Sequence, residues 1–328
     1  MSAFKAVVIG CGGAGTNHAV GYSKLPDVQF VGAADIDLSK AQALTAKVGG
    51  VAYASFEELI LTEKPDLVSV CTREYDHDLP AIFALENGCH VLSEKIMAHS
   101  LQAGTRMAEA AMRSGKQLGV DYNYRFIDSI QILKQQLDAG AIGDVKTASF
   151  QVHAYCHHHA LDLIRFLFGD PDELISTLTE IDAERNYPWD RAHELLYIPS
   201  YNETTVIRFG RMLLTLTACH RSFRYPLMEI DIVGTHGILQ VCRMNIASVN
   251  GEVTIQHEER IDRIVPEPLT LDDTFYRSVA SWVDTLKGNP TVSATGEDGL
   301  QTMMLEQAIS RSHREKRYII PAPRHAEG

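Results

Sequence analysis

A chain of 328 residues, 45% of them apolar and 22% charged, is long enough for two domains with sizeable cores, and the balance excludes a disordered or fibrous class. A formal net charge of −12 speaks against a nucleic acid or an anionic membrane as partner, because both select basic patches. No apolar run approaches the roughly 18 residues of a membrane span, no charged-then-apolar leader precedes Phe4, and six cysteines follow no framework spacing, so a reduced, cytoplasmic protein is expected.

In the stretch AVVIGCGGAG, residues 6–15, an apolar strand runs straight into glycines at Gly10, Gly12 and Gly15. In such a turn the first glycine permits the tight bend, the second lets backbone approach a pyrophosphate, and the third lets the following helix pack on the strand. Free N–H groups at the helix start face the anion. A second strand, VQFVGAAD, ends in Asp35, twenty residues beyond Gly15, where a carboxylate can accept from ribose hydroxyls. Strand, glycine turn, helix and acidic strand end together read as a dinucleotide site. Gly10, Gly12, Gly13, Ala14, Gly15 and Asp35 hold the cofactor, and Asp35 with Asp37 disfavours a 2′-phosphate, so NAD is expected over NADP.

Helices follow at about 14–24 and 38–47, then a short strand at 51–53 and a helix at 56–62 opened by a capping box, Ser55 with Glu58. LVSVC, 67–71, is a continuous apolar run suited to burial on both faces of a parallel sheet, and its end, Cys71 and Thr72, faces the ligand crevice. Helix 79–86, strand HVLSE, helix 101–113 and strand KQLGVDY complete six strand-helix alternations. They imply a doubly wound parallel sheet over residues 1–122. From 123 to 328 the rhythm changes: a helix at 128–138, a strand from Val145, a helix at about 158–168, then TTVIRFG, RMLLTLTACH, LMEIDIVGTHG and ILQVCRM as consecutive antiparallel strands of one open sheet. Helices at 273–287 and 295–313 close this second α/β domain.

Several pieces in order resemble the glucose-fructose oxidoreductase, inositol dehydrogenase and rhizopine catabolism family of nicotinamide-dependent oxidoreductases. They are GCGGAG followed by His18, Asp35 in AADID, CTREYDH ending in His77, HVLSEKI with Glu94 and Lys95, YNYRF with Asn123 and Arg125, AGAIGDV, HALDLIRFLFG and TGEDGLQTMMLEQAISRS. The resemblance implies a Rossmann domain, a second domain with a large open sheet, a substrate cleft between them, and homodimers or homotetramers built through the sheets. It implies hydride transfer between nicotinamide and a secondary alcohol of a sugar, cyclitol or related polyol. Lys95 and His159 then handle the alcohol oxygen and its proton, with Asp162 and Tyr155 beside them. Cys71, Thr72, His77, Glu94 and Lys95 line the cofactor, and Lys95, Arg125, His158, His159 and Trp189 the substrate. His77 either lines the nicotinamide side or caps the next helix, and the stretch around Asn186, Tyr187, Trp189 and Asp190 either walls a sugar site or is a surface loop.

The chain departs from the family pattern in three places. Ile96 stands where the family has proline after Glu-Lys, the connection from Gly143 to His159 is short, and Tyr155 replaces an aspartate four residues before the histidine. The run Cys156, His157, His158, His159 offers zinc-type ligands, yet four adjacent side chains converge poorly on one tetrahedral ion and no second cluster stands at a usual spacing, so no metal is expected. Two rivals share the fold: a non-catalytic cofactor-sensing protein, and a reductase of imines or non-sugar carbonyls.

Overall fold

In the computed structural model, residues 4–180, 201–220 and 227–321 are described. The chain forms two compact units, Met1–Asn123 with Asp272–Met303, and Tyr124–Leu271 with Met304–Gly328.

In the first unit, six parallel strands, β1 (Phe4–Ile9), β2 (Val28–Ala34), β3 (Val51–Tyr53), β4 (Leu67–Val70), β5 (His90–Glu94) and β6 (Leu118–Asp121), lie in the order β6-β5-β4-β1-β2-β3. The order reverses between β1 and β4, the switch point at which open α/β sheets bind ligands. The middle strands are fully buried along Ala6, Val7 and Val8 and along Leu67 to Val70, as covered faces require. Helices α1 (Gly13–Ser23), α2 (Leu38–Val48), α3 (Phe56–Glu63), α4 (Asp78–Glu86) and α5 (Leu101–Ser114) alternate with them. Three open on side-chain caps: Asp37 accepts from the Ser39 amide, Ser55 from Glu58 and Ser100 from Ala103. Helix α1 opens on Gly12 with no side-chain cap and no acid in its first turn, so its first N–H groups are left for another acceptor.

The second unit holds eight strands: β7 (Val145–His153), β8 (Glu173–Glu180), β9 (Tyr201–Phe209), β10 (Met212–Cys219), β11 (Met228–Gly234), β12 (Ile238–Met244), β13 (Glu252–Gln256) and β14 (Ile261–Ile264). Their order is β14-β13-β12-β11-β7-β10-β9-β8, antiparallel except for β7 with β10. The hairpins β9-β10 and β11-β12 are as the sequence implies, but β7 separates them. Its Phe150 and Val152 are fully buried, which suits a central place better than an edge. Along β10, Met212, Leu214, Leu216 and Ala218 point into a core shared with α6 (Asp128–Asp138) and α7 (His157–Phe168), while Leu213 points out, half exposed.

Past Leu271 the chain departs from a contiguous boundary at 122. Helix α8 (Leu271–Leu286) brings Val279, Trp282 and Val283 into the first unit's core, and the two-residue strand β15 (Ala294–Thr295) adds antiparallel to β6. Residue 119 is glycine because a Cβ there would lie 2.7 Å from the Trp282 ring. Helix α9 (Gly296–Glu315) starts in the first unit and, from Met304, sends Leu305, Ala308 and Ile309 into the core of the second. Among the described residues no helix is long and apolar enough to cross a membrane.

Candidate active site

The glycine turn divides its labour as steric reasoning expects. Gly10 has φ of 90°, and a Cβ there would stand 2.5 Å from the Cys71 carbonyl oxygen; a Cβ on Gly15 would stand 1.9 Å from that of Gly10. Among the described residues nothing lies within 4 Å of where a Cβ on Gly12 or Gly13 would stand, so the space beside the start of α1 is open. Half-buried Ala14 follows on the first turn. At the end of β2, Asp35 accepts from the Cys11 amide at 2.8 Å and the Asp37 amide at 2.9 Å, which fixes the carboxylate and leaves outward lone pairs. Burial and Asp35 push the Cys11 thiol up to about 12, so it stays protonated. Asp37 itself is the cap of α2, held by the Ser39 hydroxyl and amide. These residues fit a dinucleotide: an uncapped helix start with room beside it for a pyrophosphate, and an anchored carboxylate for a ribose.

The ends of β4 and β5 carry the remaining first-unit candidates. Cys71 is buried and Thr72 half-buried, with its hydroxyl on the Asp76 carbonyl. His77, fully buried at the start of α4, caps nothing with its side chain; its Nδ1 faces the Ile96 carbonyl at 2.8 Å and its Nε2 that of Thr72 at 3.2 Å, tying the two loops together. The Lys95-Ile96 peptide is cis. Glu94 Oε2 accepts from the Lys95 amide, while the Lys95 ammonium, half-buried, makes no ion pair or hydrogen bond among the described residues.

Behind Lys95 lies a hub in which Glu94, expected beside the cofactor, meets His18 and Asp121, for which the sequence alone suggests no role. Glu94 and Asp121 are register partners at the ends of β5 and β6, and both are buried. His18 Nε2 sits 3.3 Å from Glu94 Oε1 and 2.8 Å from Asp121 Oδ2, its Nδ1 2.9 Å from Ser69 Oγ, which Tyr22 also reaches at 2.8 Å. Burial opposes a charge on this ring, but Cys71, Asp121 and Glu94 outweigh it and raise the His18 pKa well above its ordinary value. The same imidazolium holds the Glu94 carboxyl low against its burial, whereas burial lifts Asp121. A signal was present: two strands, HVLSE and LGVD, each ending apolar runs in an acid.

In the second unit, α7 gathers its candidates at its first turns. His159 is buried, its ring stacked on Tyr124 at 3.9 Å between centroids and 7° between planes. Arg125 meets Asp162 in a buried two-pronged pair, Nε to Oδ2 at 2.8 Å and Nη2 to Oδ1 at 2.6 Å, and lies over the Phe166 ring. The residues expected to serve substrate and catalysis thus bind each other, and they pin the start of the segment after β6 to α7. Tyr155, 38% exposed, stacks on His153 at 5.3 Å and meets His220 edge-on. His157 and His158 turn inward beside Glu203 of β9 and Glu306 of α9. Burial and the charge of Glu203 raise the Glu306 pKa well above the carboxylate range. Trp189, with Asn186, Tyr187 and Asp190, lies outside the described residues.

Residues 4–122 match the family model described as oxidoreductase family, NAD-binding Rossmann fold, and residues 153–320 its C-terminal alpha/beta domain. The chain belongs to the glucose-fructose oxidoreductase, inositol dehydrogenase and rhizopine catabolism family. As a member, it is an oxidoreductase with an NAD-binding Rossmann domain. It is 32% identical to D-glucoside 3-dehydrogenase of Escherichia coli (strain K12) over 95% of both chains. To myo-inositol 2-dehydrogenase of Thermotoga maritima it is 23% identical, over 95% of this chain and 97% of that one. In structure it resembles an oxidoreductase from Agrobacterium radiobacter, solved with NAD+, L-tartaric acid and magnesium, with a TM-score of 0.83 at 18% identity over 98% and 99% of the two chains. That likeness speaks to the fold of this family.

Proposed function

We propose that this oxidoreductase removes hydride from a secondary alcohol of a sugar or cyclitol ring, with D-glucosides at carbon 3 first among its substrates. The observation that carries the reading is Lys95: a half-buried ammonium without an ionic partner among the described residues, at the end of β5, its backbone anchored by the buried Glu94-His18-Asp121 hub. A compact cation in that state can stabilise the alkoxide that forms as the alcohol proton leaves. His159, oriented by its stack on Tyr124, takes that proton; the Arg125-Asp162 pair fixes the helix that carries it. When bound, NAD supplies the hydride acceptor, held by Gly10, Gly12, Gly13, Ala14, Gly15 and Asp35. The named substrates of two relatives, a glucoside and an inositol, support a ring alcohol.

A panel of glucosides, free sugars and inositols offered with NAD, followed by NADH absorbance, tests this; the expected result is turnover with at least one glucoside and a 3-keto product by NMR. NAD binding with no turnover on any ring alcohol would refute it and favour the cofactor-sensing alternative. We further propose that the enzyme works in the cytoplasm as a homodimer or homotetramer through the second unit's sheet, whose outward face carries half-exposed Leu213. Light scattering on the purified protein distinguishes these from a monomer.

A further inference from the structure

Four ionisable side chains from three elements meet in the core of the second unit: His157 and His158 from α7, Glu203 from β9 and Glu306 from α9, with relative exposures of 0, 4, 2 and 1%. One donor atom each of His157, His158 and Glu306 lies within 4.8 Å of the others. His157 Nε2 is 2.7 Å from Glu203 Oε2, and His158 Nδ1 is 3.5 Å from Glu306 Oε2. Short as the first contact is, it lacks hydrogen-bond alignment. Among the described residues, neither nitrogen of His157 and neither Oε2 of the two glutamates has a hydrogen-bond partner. Buried imidazole and carboxylate groups are expensive in that state. No lysine or arginine pairs with either glutamate among the described residues.

We propose that His157, His158, Glu203 and Glu306 bind a divalent transition-metal ion, zinc first. With zinc bonds of about 2.05 Å, two ligand atoms on one ion stand at most about 4.1 Å apart; the 2.7 and 3.5 Å separations meet that limit pair by pair, and small side-chain rotations, Glu203 toward the His157, His158 and Glu306 group above all, bring the remaining donors to it. Two carboxylates with two neutral imidazoles balance a charge of +2, so the buried cluster becomes neutral as a whole. Mixed nitrogen and oxygen donors select zinc and its neighbours over magnesium or calcium, which take oxygen. Glu203 is also oriented from behind, as metal-binding carboxylates are: the Thr205 hydroxyl stands 2.5 Å from its Oε1 and 2.7 Å from Ser176 Oγ. The donors lie too far apart along the chain for a spacing rule to join them, and the histidine run alone gives no sign of the two glutamates. With every donor buried, the ion is structural, clamping α7 to β9 and α9 one residue before His159.

The test uses full-length, tag-free protein produced in zinc-supplemented medium and exchanged into metal-free buffer. Elemental analysis is expected to find close to one zinc per chain. Stripping with a strong chelator should lower Tm by several degrees, and one equivalent of zinc should restore it. Glu306→Gln and His157→Gln should each reduce bound zinc at least tenfold. Should both fail to fold, Thr205→Val, which touches the ion only through Glu203, is expected to weaken zinc binding 10- to 100-fold by competition with a fluorescent chelator. Less than a tenth of an equivalent after incubation with zinc, manganese or cobalt overturns the proposal. So does a Tm that neither chelator nor metal moves, or full zinc content in folded Glu306→Gln.

Discussion

Replacing His18 with glutamine removes the only imidazolium between Glu94 and Asp121 and leaves two buried carboxylates facing a neutral amide. Since each lies within 3.3 Å of the same nitrogen, they are at most about 6 Å apart, and at an effective dielectric of 20 their repulsion is about 3 kcal/mol. The escape is for one carboxyl to take up a proton, which at pH 7 costs about 4 kcal/mol from the ordinary carboxylate value and less for Asp121, whose pKa burial already raises. The expected loss is therefore up to about 3 kcal/mol near neutrality, in line with other broken buried pairs. Its pH dependence is distinctive. The His18 pKa is raised on folding, so its stabilisation is complete below the unfolded value of about 6.5 and fades as pH rises through the folded value. In the variant, acid relieves the repulsion by protonating a carboxyl. The stability gap should be widest near pH 6.5 and narrow toward both pH 5 and pH 9. Urea unfolding followed by circular dichroism at these three values measures it. A gap below 1 kcal/mol, or one flat with pH, refutes a charged His18 between two charged neighbours.

Lys95→Met should fold and bind NAD, by calorimetry, with near-normal affinity, while kcat falls at least a hundredfold; normal kcat would pass the oxyanion role to another group. His159→Asn should lower kcat by about 10² to 10⁴, the range for a positioned acid-base group, and Tyr155→Phe far less, since that change keeps the ring that packs on His153 and His220. Steady-state kinetics on both variants decides it, and equal losses would move the proton role to the tyrosine. Asp35→Ser should narrow the preference for NAD over NADP, read from the two dissociation constants, because the wild-type carboxylate repels a 2′-phosphate. Gly15→Ala should abolish cofactor binding and lower Tm, since its Cβ would meet the Gly10 carbonyl at 1.9 Å.

What was readable in the sequence was local. The glycine turn, the Ser55 cap and the alternation of apolar strands with helices depend on neighbours a few residues away, and the elements they mark stand within one or two residues of their expected places. The central place of β7 was not readable, because its own pattern fits an edge as well as a centre and only pairing with β10 and β11 decides. At the candidate site, Lys95 and Asp35 could be picked out by their position at strand ends, and His77 by its place at the end of the loop after β4. The roles of Asp121, Glu203 and Glu306 follow instead from contacts with residues far along the chain: His18 for the first, the α7 histidines for the other two. Likewise Arg125 and Asp162, each polar and well placed for a ligand, could be seen to choose one another only once α7 was laid beside the segment after β6.

The return of residues 272–303 to the first unit sets an order of assembly during synthesis. When the ribosome has delivered β6, the groove that will receive Val279, Trp282 and Val283 is bare, and one edge of the sheet still lacks β15. At about 5 to 20 residues per second, the intervening stretch from Tyr124 to Leu271 takes roughly 7 to 30 s to emerge. For that interval the nascent Rossmann unit presents an apolar groove and an open strand edge, a natural hold for chaperones and a natural start for misassembly. Ending the gene after Asn123 would make that exposure permanent, so a stable minimal cofactor-binding fragment needs the α8 and β15 segment restored through a linker.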